Sequence, residues 1–191
     1  MEENMERINA VTFAPFCARG TFEKEETRQS LKLMKEKTGA NYVIFAPNGV
    51  QKTAFSENID YRTKRNVPDE ELTAMIAYAK QLGLKVALKP TANCEDGTWR
   101  AHINFFDEDV VCEPKWSNWF ASYRAFQEHY AGLAQQCGVD LFIAGCEMVQ
   151  TERREAEWRE VIAAIRRKYD RLVSYNTDKY QEHNVKWWDA V

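Results

Sequence analysis

The sequence has 191 residues, 45% of them hydrophobic, and its 26 lysines and arginines against 29 aspartates and glutamates give a net charge of −3. This length and hydrophobic content suit one globular domain, and the balanced charge lacks the basic surface with which proteins bind nucleic acid or anionic membranes. The charge balance therefore predicts no nucleic-acid partner. No apolar run approaches the roughly 20 residues of a membrane-spanning helix, so we also expect no association with a membrane.

Predicted strands and helices alternate along the chain. Helices are indicated where apolar residues recur at three- and four-residue steps, as at Trp119, Tyr123 and Phe126. Short apolar runs that stop at a proline or a polar residue predict strands. The predicted order is strand Asn9–Phe16, helix Glu25–Lys37, strand Asn41–Ala46, polar segment Asn48–Val67, a helix opened by Pro68 and ending near Leu82, strand Lys85–Lys89, loop Thr91–Lys115, helix Trp119–Cys137, strand Val139–Glu147, a helix containing Glu157–Glu160, strand Arg171–Tyr175, and Lys186–Val191 as the approach to a sixth strand.

The connections that follow strands are long, whereas those that precede them are short. That asymmetry is typical of a β/α barrel, whose elaborated loops lie at the carboxyl ends of its strands. A flavodoxin-like sheet would suit the length, but the first connection lacks the glycine-rich turn of its nucleotide-binding forms. We therefore predict an α/β fold, a TIM-type (β/α) barrel. Residues 1–191 would form a single, apparently incomplete barrel domain of about five βα units plus the start of a sixth, since eight units take about 250 residues.

The chain carries a glutamate at the end of its most apolar strand. Val139–Cys146 is bounded by glycines and is too apolar to leave one face in water, which predicts a strand buried on both faces. Parallel sheets present their chemistry at the carboxyl ends of such strands, where Glu147 stands. Glu147 is therefore the candidate centre of a site, although a glutamate there could instead cap a helix or bind an arginine.

Tryptophans fall into two groups. Trp119 and Trp158 lie on helical apolar stripes and are interpreted as core. The others (Trp99, Trp116, Trp187 and Trp188) lie near strand ends or in loops, where an aromatic ring can stack on the apolar face of a sugar. The charged run Glu152–Glu155 is interpreted as a solvated helix start.

Metal and disulfide chemistry are not expected. The five cysteines form no Cys-x-x-Cys pair, and their odd number favours free thiols in a reducing compartment. The histidines (His102, His129 and His183) show no zinc-site spacing and are interpreted as surface or loop residues. We expect no cofactor. The polar N-terminus has no signal-peptide core, which predicts a cytoplasmic protein unless a leader has been removed.

Several motifs resemble, in order, those of glycoside hydrolase family 113, whose members are retaining endo-β-1,4-mannanases with a (β/α)₈ fold. In most of the related glycosidases an Asn-Glu pair ends the fourth strand, whereas this family and this sequence have Cys146-Glu147. The motifs are Ala87–Pro90, Asp96–Arg100, Gly145–Glu147, Glu157–Arg159, Val173–Asn176 and Val185–Asp189.

The resemblance implies that Glu147 is the general acid/base and that the partner is β-mannan or a manno-oligosaccharide. The residues that it places along the sugar cleft are Lys89, Trp99, Arg100, Cys146, Asn176 and Trp187. From the residues alone, Lys89 could equally be a salt-bridge partner and Asn176 a turn residue. Trp99 and Arg100 could form a lid that packs on its own barrel, and Cys146 could be a small buried neighbour.

The sequence departs from the family pattern at two points. Thr91 stands where the family often has a histidine. The family's nucleophile, a glutamate on the seventh strand, would follow Val191, and we interpret Asp178 and Asp189 as solvated or salt-bridged carboxylates rather than as its substitute. A retaining glycosidase needs both carboxyl groups, about 5–5.5 Å apart. We therefore expect residues 1–191 alone to hydrolyse mannan poorly or not at all. The rival hypothesis is a non-catalytic carbohydrate-binding or remnant fragment that self-associates through open barrel edges.

Overall fold

The computed structural model describes residues 7–105 and 115–191. Its helices are α1 (Glu25–Thr38), α2 (Asp69–Gln81), α3 (Trp116–Gln136) and α4 (Glu155–Lys168). Its strands are β1 (Ala10–Thr12), β2 (Tyr42–Phe45), β3 (Asn48–Gln51), β4 (Lys85–Leu88), β5 (Thr91–Cys94), β6 (Leu141–Cys146) and β7 (Leu172–Asn176). Short 3₁₀ helices cover Arg100–His102, Glu182–Asn184 and Trp188–Ala190.

Helix boundaries follow local chemistry. α1 ends because Gly39 adopts the left-handed conformation (φ 63°) and its N–H bonds the Lys35 carbonyl. α2 begins directly after Pro68, with Asp69, Glu70 and Glu71 in its first turn, where carboxylates favour the positive end of the helix dipole. The sequence predicted α1 to end at Lys37, one residue before its observed end, and α2 to open at Pro68.

The main sheet has the strand order β1-β2-β4-β6-β7, and every pairing in it is parallel. Its strands therefore lie side by side in chain order. A flavodoxin-like sheet has the strand order 2-1-3-4-5, in which the first strand lies between the second and the third, whereas β1 lies at the edge of this sheet. The arrangement puts the carboxyl ends of β4, β6 and β7 next to one another, so that Lys89, Glu147 and Asn176 share one edge of the sheet.

A second, two-stranded parallel sheet pairs β3 with β5 and was not predicted. Both strands lie in segments interpreted as a polar excursion and a loop. Pro47 and Pro90 interrupt β2 and β4, since a proline has no N–H for the ladder. The chain then pairs again, beginning with the Thr91 N–H bonded to the Pro47 carbonyl at 3.0 Å. The small sheet thus continues β2 and β4 beyond the carboxyl edge of the main sheet.

Aromatic residues of α3 and α4 pack against one another in the core. The Trp119 and Tyr123 rings stack at 4.9 Å, and Tyr123 meets Trp158 edge-on at 5.4 Å. Trp119 and Trp158 are completely buried, which confirms their interpretation as core residues. Trp116, which the sequence placed with the loop tryptophans, is the buried first residue of α3 and packs on Trp119.

His129 differs from its sequence interpretation, because it is not a surface residue. Its side chain is 13% exposed, its Nε2 lies 2.9 Å from Asp69 Oδ1, and its Nδ1 lies 2.9 Å from an Arg62 nitrogen. The ring therefore ties α3 to the start of α2. His102 and His183 are exposed, as predicted.

The remaining sequence predictions concern the chain end, the thiols and the membrane. Residues 186–191 contain the 3₁₀ helix Trp188–Ala190, which packs against α4, where the approach to a sixth strand was predicted. Cys17, Cys94, Cys137 and Cys146 are free thiols, and Cys112 lies outside the described residues. Within residues 7–105 and 115–191, no helix combines the length and the apolar character needed to traverse a bilayer.

Candidate functional site

Glu147 stands at a sharp turn where β6 ends. The β6–β7 pairing shifts register between Ile143 and Cys146, an irregularity that commonly re-aims side chains at the end of a strand. Gly145 has φ 129°, and a Cβ there would overlap the Tyr123 hydroxyl. Glu147 has φ 53°, a left-handed conformation that is uncommon outside glycine. Its N–H donates to the Asn176 carbonyl at 2.8 Å, so β7 holds the turn.

The Glu147 carboxylate is bound by Arg100. One Arg100 terminal nitrogen lies 2.8 Å from Glu147 Oε2, and the Trp99 indole N–H donates to the same oxygen at 3.4 Å. The Glu147 side chain is 31% exposed and that of Arg100 14%. The carboxylate is therefore partly open to solvent, while its cationic partner is mostly enclosed.

Arg100 is fixed by further hydrogen bonds. Its Nε donates to the Cys146 carbonyl at 2.9 Å, and a second terminal nitrogen donates to Asn93 Oδ1 at 2.8 Å. The Asn93 amide in turn donates to Asn48 Oδ1 at 2.7 Å. The small sheet of β3 and β5 thus orients the arginine that orients Glu147. Neither asparagine was predicted, since each lies in a segment interpreted as irregular.

Lys89, Cys146 and Asn176 lie together beside this turn. Lys89 Nζ donates to Asn176 Oδ1 at 3.2 Å, and Cys146 Sγ lies 3.5 Å from the same oxygen. Cys146 is buried, whereas Lys89 and Asn176 are half-buried. The structure therefore brings the predicted residues of three neighbouring strand ends into one cluster.

Two aromatic rings flank the cluster and reach solvent. Trp99 is 44% exposed, and Phe16 is 39% exposed with its ring 5.9 Å from the Arg100 guanidinium carbon. Phe16 follows the end of β1, at the same edge of the sheet. Sequence reasoning missed it because it was assigned to the first strand, although an aromatic residue directly after Pro15 was a usable signal.

Trp187 does not lie in the cluster, in contrast to the role that the resemblance implied for it. It is completely buried, stacks on Trp158 at 4.7 Å with an interplanar angle of 11°, and its indole donates to the Glu152 carbonyl at 3.2 Å. Its position is in the core beside α4. Thr91 is also buried, and its hydroxyl bonds the Lys89 carbonyl at 3.0 Å.

A cavity of about 540 Å³ lies elsewhere, and its lining includes Lys52, Phe55, Glu57 and Glu95. It contains no residue of the Glu147 cluster, so we assign the site by its chemistry rather than by volume. Within the described part of the chain, no group of three or more histidines, cysteines, aspartates or glutamates is arranged to hold a metal ion.

Comparison with known proteins identifies a family. The model of Glycoside Hydrolase Family 113 matches residues 11–191, which is most of the chain. No protein of curated function matches the sequence.

Solved structures of the same family are close in sequence and in fold. A GH113 β-1,4-mannanase, solved alone and as a complex, is 53% identical with a TM-score of 0.95. The GH113 β-mannanase AaManA from Alicyclobacillus acidocaldarius, solved in complex with ManMIm, is 40% identical with a TM-score of 0.91. Each alignment covers 98% of this chain and 60% of the relative, so the chain spans less than two thirds of their length. These matches confirm the predicted family resemblance and the predicted barrel fold, of which this chain is a part.

Proposed function

The chain belongs to glycoside hydrolase family 113, and from that premise we propose that it carries the acid/base side of a retaining β-1,4-mannanase site. The observation that supports this most directly is Glu147 at the carboxyl edge of the sheet, partly open to solvent and held by Arg100. The mannanases to which the chain is similar suggest the substrate class, β-mannan or its oligosaccharides.

In the proposed mechanism, Glu147 protonates the leaving glycosidic oxygen while a second carboxylate, the nucleophile, bonds to the anomeric carbon. Glu147, now a carboxylate, then takes a proton from the water that hydrolyses this glycosyl ester. Arg100 suits the second role, because its cation stabilises the carboxylate and fixes the direction of Oε2. In the first role the Glu147 proton must coexist with that cation. We therefore propose that sugar hydroxyls entering beside Arg100 take over part of its hydrogen bonding.

Sugar binding is proposed for the surfaces around Glu147. Trp99 and Phe16 offer exposed rings for the apolar faces of pyranose units. Lys89 and Asn176 offer an ammonium and an amide for the hydroxyl groups of a sugar. The buried Cys146 thiol contacts Asn176 Oδ1 and helps to fix that amide.

The nucleophile is proposed to lie outside residues 1–191. Asp189, one in-chain candidate, is held by two Arg159 nitrogens at 3.0 and 2.9 Å on the α4 side, and those hydrogen bonds lower its pKa. The 191-residue chain is accordingly proposed to hydrolyse mannan poorly or not at all. Mannan turnover by the purified chain that disappears in Glu147→Gln would contradict this point, while supporting the role of Glu147.

The test of substrate class is calorimetric titration of the chain with β-1,4-linked mannohexaose, with cellohexaose as the comparison sugar. Trp99→Ala is expected to weaken mannohexaose binding about two- to tenfold, which is the change in affinity that corresponds to the loss of one aromatic contact. Trp188→Ala is the matched control, because Trp188 is 39% exposed and its indole bonds the Glu182 carbonyl instead of the Glu147 carboxylate. Absence of mannohexaose binding, or equal loss in both variants, would contradict the proposal.

A second candidate function is a non-catalytic carbohydrate-binding or remnant form that self-associates. It is favoured by the edges of the main sheet, where β1 and β7 each pair on one side only within the described chain, and by Leu172, which is 62% exposed on β7. Size-exclusion chromatography with light scattering tests it, and a monomer at high concentration would argue against it. Cytoplasmic location also stays a proposal, to be tested by cell fractionation.

A further inference from the structure

We infer that Glu152 is a positioning residue that holds the backbone beside Glu147 through the Tyr175 hydroxyl. Its importance for catalysis depends on the proposed function. The sequence interpretation of Glu152 as part of a solvated helix start is wrong, because the residue is completely buried.

The connection runs through a single hydroxyl. Tyr175 donates to Glu152 Oε1 at 2.7 Å, and its oxygen accepts the Met148 N–H at 3.1 Å. Thr177 donates to the same Glu152 oxygen at 3.0 Å. The buried acid is thus two hydrogen bonds away from the amide that follows Glu147.

The backbone at this point needs an external restraint. Glu147 adopts φ 53°, and such conformations persist only where the surroundings impose them. Two successive amides are held by two successive residues of β7, Glu147 N–H by the Asn176 carbonyl and Met148 N–H by the Tyr175 hydroxyl. The first bond is a backbone bond, whereas the second depends on which way the hydroxyl points. An oxygen at Glu152 fixes that direction, since it takes the hydroxyl proton and leaves a lone pair for Met148.

The Glu152 side chain bonds Tyr175 and Thr177, at the end of β7, rather than groups of its own loop. The loop is anchored by the Glu152 backbone, whose N–H bonds the Val149 carbonyl and whose carbonyl accepts the Trp187 indole. Its other carboxyl oxygen is buried without a hydrogen-bond partner among the described residues. Burial raises the pKa of Glu152, the hydrogen bonds from Tyr175 and Thr177 partly oppose this, and Asp178 raises it further, so the net direction favours the neutral acid. A neutral acid still accepts from Tyr175, so the contact does not require a charge.

The experiment measures amide exchange and the Glu147 intraresidue HN–Hα NOE, which is strong at positive φ and weaker at negative φ, by NMR on the 191-residue chain. In Tyr175→Phe and Glu152→Ala, exchange at Met148 is expected to rise about tenfold, the effect of losing one hydrogen bond. The Glu147 NOE is expected to weaken as the residue samples negative φ. Glu152→Gln keeps an acceptor for Tyr175 and is expected to restore both values.

Glu71→Ala is the matched control, because Glu71 is also a buried carboxylate and accepts the Gly20 and Phe22 N–H groups far from β6. It is expected to speed exchange at those two amides and leave Met148 unchanged. Tyr175→Phe keeps the packed ring, so it carries the test even if Glu152→Ala does not fold.

Unchanged Met148 exchange and an unchanged Glu147 NOE in Tyr175→Phe would overturn the inference, as would a Gln variant that exchanges as fast as the Ala variant. Neither measurement involves sugar. Failure of mannohexaose binding would therefore count against the proposed function and leave this result intact.

Discussion

Replacing Gly145 with alanine should strain the turn that presents Glu147, and the structure allows the effect to be divided into two parts. The first is backbone strain, because φ 129° is open to glycine and rarely to other residues; such strain costs about 1–3 kcal/mol. The second is the overlap of the new Cβ with the Tyr123 hydroxyl, which donates to the Ala144 carbonyl at 3.2 Å in a fully buried position. Displacing that hydroxyl leaves a buried polar group unsatisfied, at about 1–3 kcal/mol. The expected loss of unfolding free energy is the sum, about 2–6 kcal/mol.

A double-mutant cycle separates the two parts. Tyr123→Phe removes the hydroxyl that the Cβ would overlap, so Gly145→Ala should be less damaging in that background by about 1–2 kcal/mol. Gly132→Ala is the control, since Gly132 lies in α3 and a Cβ added there would meet nothing within 4 Å, so this change should be neutral or slightly stabilising. Urea unfolding followed by tryptophan fluorescence gives all the values. Strict additivity of Gly145→Ala and Tyr123→Phe would refute the overlap argument, and a loss below about 1 kcal/mol for Gly145→Ala would refute both.

Three further outcomes are expected. Trp158→Ala should lower the unfolding free energy by about 3–5 kcal/mol, whereas Trp99→Ala should change it by less than about 0.5 kcal/mol, and similar values in urea unfolding would contradict their assignment to core and surface. Arg100→Lys should lower the melting temperature, because one ammonium replaces three nitrogens that each have their own acceptor, at a cost of about 1–3 kcal/mol. Arg124→Lys, at an exposed ion pair, should change the melting temperature little. Equal shifts in the two variants would contradict the anchoring of Arg100. The pKa of Glu152 is raised above its ordinary 4.5, so its contribution to folding stability is fully present below pH 4.5 and is lost as the pH rises. Glu152→Gln does not titrate, so its stability in urea unfolding should increase relative to wild type between pH 4 and pH 8. A stability difference that stays constant with pH would show that the raised pKa has no effect on folding.

The fold was predictable where the pattern was local. Helical periodicity found α3 and α4, and apolar runs found the strands of the main sheet in their order. β3 and β5 were not predicted, because a four-residue segment such as Asn48–Gln51 shows no strand pattern in the sequence. Their ladder exists only because Pro47 and Pro90 end adjacent strands in register, a tertiary relation that a single sequence does not display.

The site was predictable where a residue stands at a strand end. Lys89, Glu147 and Asn176 come together because parallel strands share an edge. Trp187 was misplaced because a tryptophan in a polar tail has the same sequence appearance whether it reaches solvent or folds back onto Trp158. Glu152 was misread for a related reason, since its charged neighbours are exposed or half-buried while its own side chain points inward to Tyr175.

Contacts from outside β6 hold Glu147, and this has a consequence for how the site can be damaged. The β7 end binds its amide, the small sheet orients its arginine through Asn93, and Tyr123 of α3 closes the space beside Gly145. An uncommon backbone conformation supported by three separate elements belongs to the fold as much as to the site. Substitutions at these supports should therefore reduce stability and the geometry of Glu147 together. Substitution of Trp99 removes an exposed ring and one long hydrogen bond to Glu147, so we expect it to reduce sugar binding with little change in stability.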